Sequence, residues 1–499
     1  GGFMPEAAPL LYSAAQPRAL DAAAMARGGL RGMTLMARAA EAAFARLARR
    51  WPAPGAIAVV CGGGNNGGDG YLVAALAHKR GLPVTVFTVG DPARLSGDAA
   101  AARQHALDEG VTVVPWAAGC LPAAPGAVIV DALLGTGLGG AVRPDAAAVI
   151  DAINASGHPV LAVDIPSGLC ADTGRVLGTA VRATATVTFI GRKRGLYTAD
   201  GPACCGDLDF DDLAVPAESY SAVPPAEAWE LLSLVAEREA LAPRPPQAHK
   251  GHFGNVLVIG GDHGMGGAAL LAAEAALRAG AGLVRVATRG EHVPAFLARL
   301  PEAMVRAVPD VHELEPLLAA SDLLVLGPGL GRGPWSEQLF ARARAAALPA
   351  VIDADGLALL AAGDEPWPAP AILTPHPGEA GRLLGSDSGA VQADRFASAR
   401  ALAGRYAATV VLKGNGSLVV TEDGSAGLCA GGNPGMATGG MGDVLAGLTG
   451  GLLAQGLSPG HAARLAVTAH AAAADLAAAD GQRGLLPSDL FAPLRRLLG

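Results

Sequence analysis

Between residues 56 and 164, short apolar runs alternate with helix-length, alanine-rich stretches; the runs are "AIAVVC", "LPVTVFTVG", "GVTVVPW", "GAVIVDALLG" and "PVLAVDIPSG". Strand-length runs separated by helical segments predict a parallel sheet covered by helices. A further strand, "TATVTFIG", leads into the basic turn "RKRGLYT" at 192–198. The pattern lapses between residues 212 and 247, where "ESYSAVPPAEAWE" and "APRPPQ" read as a connection, with a boundary near Pro225. A second α/β series then opens with "GNVLVIGG" and runs through "AGLVRVAT", "SDLLVLGPGLG", "PAVIDADGL", "PAILTPHPGE" and the hairpin-like "ATVVLKGNGSLVV" to a glycine-rich stretch and long helices. No repeat relates the two halves, so the expectation is an α/β protein of two unlike domains.

At 499 residues the chain is too long for a single ordinary core. Its 51% apolar content comes mainly from alanine, and no uncharged apolar run reaches the roughly 18 residues of a membrane span. A net charge of −8 without any basic block argues against nucleic acid as a partner. The six cysteines show no C-x-x-C pairs or dense framework, and "GGFMPEAAPLLYSAAQP" lacks the regions of a secretory leader, so a cytoplasmic location is expected.

The informative punctuation of the first series falls just after its strands, at 62–70, 131–140 and 164–168, and ligands of open α/β sheets gather at strand carboxyl ends. "VVCGGGNNGGDGYLVA" holds G-x-G-x-x-G at Gly62, Gly64 and Gly67, the spacing that brings a pyrophosphate to a helix N-terminus. Asp91, after the second strand, stands where a ribose-binding acid would. That fingerprint does not require Asn65, Asn66 and Asp69. Amide and carboxylate oxygens crowded into one turn mark a cation site, and Asp131 and the Asp164/Ser167 pair add oxygens at neighbouring strand ends. Tolerance of left-handed turns by Asn and Asp explains one such loop better than three.

"GGGNNGGDG", "VDALLGTGLGG" and "VDIPSGL", in this order, resemble the YjeF N-terminal family, the NAD(P)H-hydrate epimerases, over about residues 18–218. The resemblance implies a Rossmann-like domain with potassium (K+) held at Asn66, Asp131 and Ser167. It implies contacts to the hydrated nicotinamide nucleotide from Asn65, Asn66, Gly67, Gly68 and Asp69, from Gly135, Thr136, Gly137, Leu138, Gly139, Gly140 and Ala141, and from Asp164. The glycine-rich loop offers N–H groups for phosphate. Asp164 is the candidate acid–base group, because interconverting epimers at a hydrated ring carbon moves protons; capping a loop or binding the metal is its structural alternative. Lys193 is either a phosphate partner or part of an exposed basic turn. The early helix "LMARAAEAA" departs from the family's usual "LMExAG" at Ala37 and Ala40.

In the second half, "GNPGMATGGMGDVLAGLTGGLLAQG" places Gly439, Gly440 and Gly442 before Asp443 and a helix. N–H groups at a helix start, with a carboxylate beside them, suit phosphoryl transfer to a hydroxyl. "VVLKGNGSLVV" puts Lys413, Gly414, Asn415, Gly416 and Ser417 on a turn that can meet nucleotide phosphate or sugar, without Walker spacing. "ILTPHPGEAGRLL" brings His376 and Glu379 to a strand end, whereas His249, His252 and His263 lack zinc-ligand spacing. With "KGHFGNVLVIGG", "GMGGAALLAAEAALRAGAGLV" and "GPGLG", these stretches resemble the YjeF C-terminal family, NAD(P)H-hydrate dehydratases of ribokinase-like fold, over about residues 227–499. The resemblance implies substrate contacts at Ala268, Gly329, His376 and Asp443, and nucleotide contacts at 413–417 and Gly442, with ADP and magnesium (Mg2+).

The two halves together predict repair of hydrated NADH and NADPH. The first half would interconvert the R and S hydrates, and the second would dehydrate the S hydrate with ADP, releasing AMP and phosphate. Small molecules are the expected partners, acting on a homo-oligomer. Two rivals stand beside this reading: a small-molecule kinase in the second half, and a non-catalytic ligand-binding module in the first.

Overall fold

The computed structural model describes residues 9–249 and 253–499; His252 and the "KGH" of "KGHFGNVLVIGG" lie outside the described residues. The chain forms two compact units, Leu10–Trp229 and a second built chiefly on Glu230–Gly499. Among the described residues no helix is long and apolar enough to cross a membrane.

The first unit is built on a seven-stranded parallel sheet. Its order is Thr112–Pro115, Val84–Thr88, Ala56–Cys61, Ala127–Ala132, Val160–Val163, Ala185–Phe189 and Asp207–Asp211. Ala56–Cys61 comes first in the chain among these strands, and the chain leaves it to both sides. The reversal therefore opens a crevice beyond the paired residues Cys61 and Ala132. Both faces of the sheet are covered, which is why its strands read as continuous apolar runs. The helix Gly32–Arg50 buries Leu35, Met36, Ala39, Ala40, Ala43, Phe44 and Leu47, a helical stripe directed at the core. Ala40 is wholly buried in that stripe and Ala37 packs at its margin.

In the second unit seven strands run parallel, in the order Met304–Ala307, Leu283–Thr288, Asn255–Ile259, Leu323–Leu326, Ala350–Ile352, Ala371–Leu373 and Thr409–Leu412. The antiparallel strands Ser417–Val420 and Ala426–Cys429 follow, so "KGNGS" is the hairpin turn its pattern predicts. Helix Met441–Ala454 lies against Gly266–Ala279 at backbone distance. A Cβ on Gly447 would stand 2.0 Å from the Ala272 carbonyl oxygen, and one on Gly451 2.6 Å from that of Ala276.

Candidate active sites

In the first unit a pocket of about 660 Å³ lies in the crevice at the strand ends. Asn65, Asn66, Asp69, Gly135, Thr136, Gly137, Leu138 and Asp164 line it, so the three motifs do meet at one sheet edge. Gly139, Gly140 and Ala141 continue the same loop, exposed and outside the lining. The turn expected to run through Gly70 is shorter, because the helix Asn65–Lys79 begins directly after Gly64. Gly67 and Gly68 are thus buried packing positions rather than pocket lining. A Cβ on Gly67 would stand 2.1 Å from the Gly62 carbonyl oxygen, and one on Gly68 2.7 Å from Met36 Cε.

Three oxygen-bearing residues stand at the strand ends of this unit. Asn66 donates from Nδ2 to the Val163 carbonyl at 2.7 Å, while its Oδ1 is buried without a hydrogen-bond partner. Asp131, fully buried, accepts from Ser167 Oγ at 2.6 Å and from the Ser167 backbone N–H at 2.8 Å. Burial pushes the Asp131 carboxyl up to about 6, against the pull of the Ser167 and Leu133 hydrogen bonds. Buried polar atoms are almost always paired, so the orphaned Asn66 amide oxygen, with a paired hydroxyl and carboxylate among the other strand-end residues, fits a hard cation.

Asp164 occupies a three-residue turn closed by the Ile165 N–H to the Val163 carbonyl at 2.9 Å, with φ at 70°. Such strained geometry in a non-glycine residue persists only where its surroundings impose it. Here they do. Asp164 Oδ1 accepts from Lys193 Nζ at 2.7 Å, Thr188 Oγ1 at 2.9 Å and the Phe189 N–H at 3.3 Å. Lys193 is only 2% exposed and also donates to Thr188 Oγ1 and the Phe189 carbonyl, which corrects the expectation of a solvated basic turn or a phosphate ligand. The reason is local: Arg192–Lys193 forms a short parallel ladder with Leu10–Tyr12, and Lys193 reaches inward from it.

Asp21, on the helix Gln16–Gly28, also lines the pocket. Burial pushes its carboxyl up to about 6, with the Lys193 charge opposing and the Asp164 charge adding. Burial likewise holds the Asp69 carboxyl well above the ordinary range, with Asp164 and Asp21 adding to it. A single acid on an alanine-rich helix carries no motif, so the sequence does not mark Asp21. Asp91 is remote from this chemistry and caps the turn Pro92–Arg94 through Ala93 N–H.

In the second unit, Asp443 stands in the first turn of Met441–Ala454, whose preceding residue Gly440 has φ at 99°. Burial pushes the Asp443 carboxyl up to about 7, with Asp353 adding and Lys413 opposing. Lys413 Nζ donates to Asp353 Oδ1 at 3.1 Å. Burial works against the ammonium, but Asp353, Glu379 and Asp443 outweigh it and raise its pKa. Gly442 makes room for this lysine, since a Cβ there would stand 2.9 Å from Lys413 Nζ. Asp353, which no motif singled out, is 1% exposed and is fixed by Thr374 Oγ1 at 2.9 Å.

Gly329 and Ala268 also come together: a Cβ on Gly329, where φ is 63°, would be 3.1 Å from that of Ala268. His376 caps the helix Pro377–Leu383, its Nδ1 accepting from the Gly378 and Glu379 N–H groups at 3.0 and 3.2 Å, with most of its ring exposed. The 413–417 turn rests on Arg395, buried to 1%, which donates to the carbonyls of Leu412, Lys413 and Gly416. His263 pairs with Glu291, away from His249 in the chain, and among the described residues no group of His, Cys, Asp and Glu could hold a metal ion.

Both halves of the chain have known relatives. Residues 32–195 match the family described as YjeF-related protein N-terminus, and residues 256–496 match NAD(P)H-hydrate dehydratase. The bifunctional NAD(P)H-hydrate repair enzyme of Coxiella burnetii is 48% identical over 98% of this chain and 99% of its own. That of Escherichia coli is 43% identical over 94% of this chain and 90% of its own. A ribokinase-like superfamily protein of Enterococcus faecalis, 31% identical, covers 54% of this chain and 94% of its own with a TM-score of 0.50. With both halves matched in order and relatives aligned from end to end, the chain belongs to the family of bifunctional NAD(P)H-hydrate repair enzymes.

Proposed function

We propose that the first unit epimerises the R and S hydrates of NADH and NADPH and that the second dehydrates the S hydrate with ADP. The observation that carries the first assignment is the Asp164–Lys193 pair, held in a strained turn on the wall of the pocket that Asp21 also lines. In epimerisation by loss and re-addition of water, the hydroxyl leaves the ring carbon as water from one face and water adds to the other. One group must give a proton and another must take one. Asp164 is oriented by its three donors for one of these roles, and Asp21, with a carboxyl near neutrality, serves the other. Asn66 Oδ1, Ser167 Oγ and the Asp131 carboxylate would hold potassium. The ion, when bound, supplies a fixed positive charge at the junction of the strand ends.

Hydroxide is a poor leaving group, which explains a nucleotide-dependent second step. Asp443 takes the proton of the substrate hydroxyl as the β-phosphoryl of ADP transfers to it and AMP is released. The ring nitrogen then expels phosphate, a proton leaves the neighbouring carbon, and NADH or NADPH is restored. Magnesium enters as part of the nucleotide substrate. Lys413 and the N–H groups at the start of Met441–Ala454 face the transferring charge. A cytoplasmic setting accords with six cysteines that are all free.

The test supplies the full chain with separated hydrate epimers, ADP and magnesium. The S hydrate should regain NADH absorbance with AMP and phosphate released, and the R hydrate should follow through the first unit. A stable phosphorylated product would establish a kinase instead. An R hydrate that is never consumed would reduce the first unit to a binding module.

A further inference from the structure

A hydrated nicotinamide dinucleotide brings a negatively charged diphosphate into a pocket already lined by Asp21, Asp69, Asp98 and Asp164. Apart from potassium at the strand ends, the lining offers two cations to offset that charge, Lys193 and Arg18. Lys193 is committed elsewhere: its ammonium is buried, and its contacts go to Asp164, Thr188 and Phe189. Arg18 is different. It is exposed on the first turn of Gln16–Gly28, and among the described residues the protein offers it no ion pair or hydrogen bond.

Its position gives the free guanidinium a use. A Cβ placed on Gly137 would stand 3.3 Å from Arg18 Nη2, so the guanidinium lies directly over the backbone of the "GTGLGG" loop. Further along that loop, a Cβ on Gly139 or Gly140 would meet nothing within 4 Å, which leaves its backbone open to a ligand. A guanidinium presents a planar fork of donors that matches two phosphate oxygens at once, and glycine-rich backbone can supply N–H donors from another side. The nicotinamide end must reach the half-buried Asp164 and its Lys193 partner, so a cation on the exposed wall is placed for the next charged group along the molecule.

We propose that Arg18 binds the diphosphate of the dinucleotide substrate at the mouth of the epimerase pocket, an inference that rests on the epimerase reading of this unit. Arg18 then acts on substrate affinity rather than on the chemical step.

Two measurements on the full chain test it. In Arg18→Gln the KM for epimerisation should rise about 10- to 100-fold, the range set by losing a hydrogen bond to a charged group, with kcat unchanged. Arg18→Lys should fall between, the unchanged kcat for epimerisation showing that the first unit is folded, and dehydration of the S hydrate should keep its parent rate. An unchanged KM, or a fall in kcat alone, overturns the proposal. Independently of turnover, phenylglyoxal should modify Arg18, as read by peptide mass spectrometry. ADP-ribose should slow that modification, whereas AMP, which lacks a diphosphate, should not. Equal labelling with and without ADP-ribose overturns the proposal even if the unit epimerises hydrates. Protection in a chain that leaves the R hydrate untouched would instead uphold the diphosphate site and sink the epimerase reading.

Discussion

Replacing Lys193 with methionine keeps most of the side-chain volume and removes one charge from a site where it answers several others. The ammonium is buried and bonds Asp164 Oδ1 at 2.7 Å, Thr188 Oγ1 at 3.1 Å and the Phe189 carbonyl at 2.9 Å. Breaking a buried ion pair by removing one partner typically costs about 3–5 kcal/mol, because the other charge is left without compensation. Here Asp21 and Asp69 lose the same cation, which opposes the rise in their pKa. The Asp21 carboxyl, already at about 6, should rise further in Lys193→Met. The native variant then holds more protons than the native parent just above pH 6, so its stability falls more steeply with pH and the deficit is larger at pH 8 than at pH 5.5. Hydrogen exchange read peptide by peptide separates the two units. At about 1.4 kcal/mol per decade, peptides from the Ala185–Phe189 strand should exchange roughly two to nearly four decades faster, while those of the second unit stay as they were. Epimerase activity should vanish and dehydration of the S hydrate persist. Protection within a factor of three of the parent at both pH values would refute the view of Lys193 as the cation that makes this acidic site tolerable.

Asp443→Asn should slow dehydration about 10²–10⁴-fold, with ADP binding by calorimetry and epimerisation both preserved. Because burial pushes the Asp443 carboxyl up to about 7, the basic form accumulates as pH rises; log kcat/KM for dehydration should climb with unit slope below that value and level off above it, a break the Asn variant lacks. Asp131→Ala should abolish the potassium response of epimerisation measured across a KCl series and leave dehydration near the parent rate; an unaltered response would remove Asp131 from the cation site. In Gly442→Ala the new Cβ, 2.9 Å from Lys413 Nζ, must displace the ammonium from Asp353, and the Kd for ADP should weaken by about tenfold, one charge-assisted hydrogen bond. Unchanged ADP binding in that variant would show that Lys413 does not meet the nucleotide.

What could be read from the sequence is what the backbone writes locally. Apolar runs at strand spacing announce the sheets, and glycines and asparagines immediately after them fall where a doubly wound sheet must bind ligands, so Asn66, Asp131, Ser167 and Asp164 are legible as strand-end residues, of which Asn66 and Asp164 line the pocket. Ala40, where the resemblance has a glycine, packs in the helix core and outside the pocket lining. The cations were a different matter. A lysine in "RKRGLYT" reads as solvated because most lysines are, and an arginine opening an alanine-rich helix reads the same way. Whether either is buried depends on which acids and carbonyls the rest of the chain brings to it. Lys193 finds Asp164, 29 residues earlier, and Arg395 finds the carbonyls under the 413–417 turn, whereas Arg18 finds no partner of its own in the described chain. The sign of a site's field is therefore a tertiary property even when its oxygens are a local one. That is why the sequence assigned phosphate to Lys193 as one possibility, while the fold leaves Arg18 free to take it.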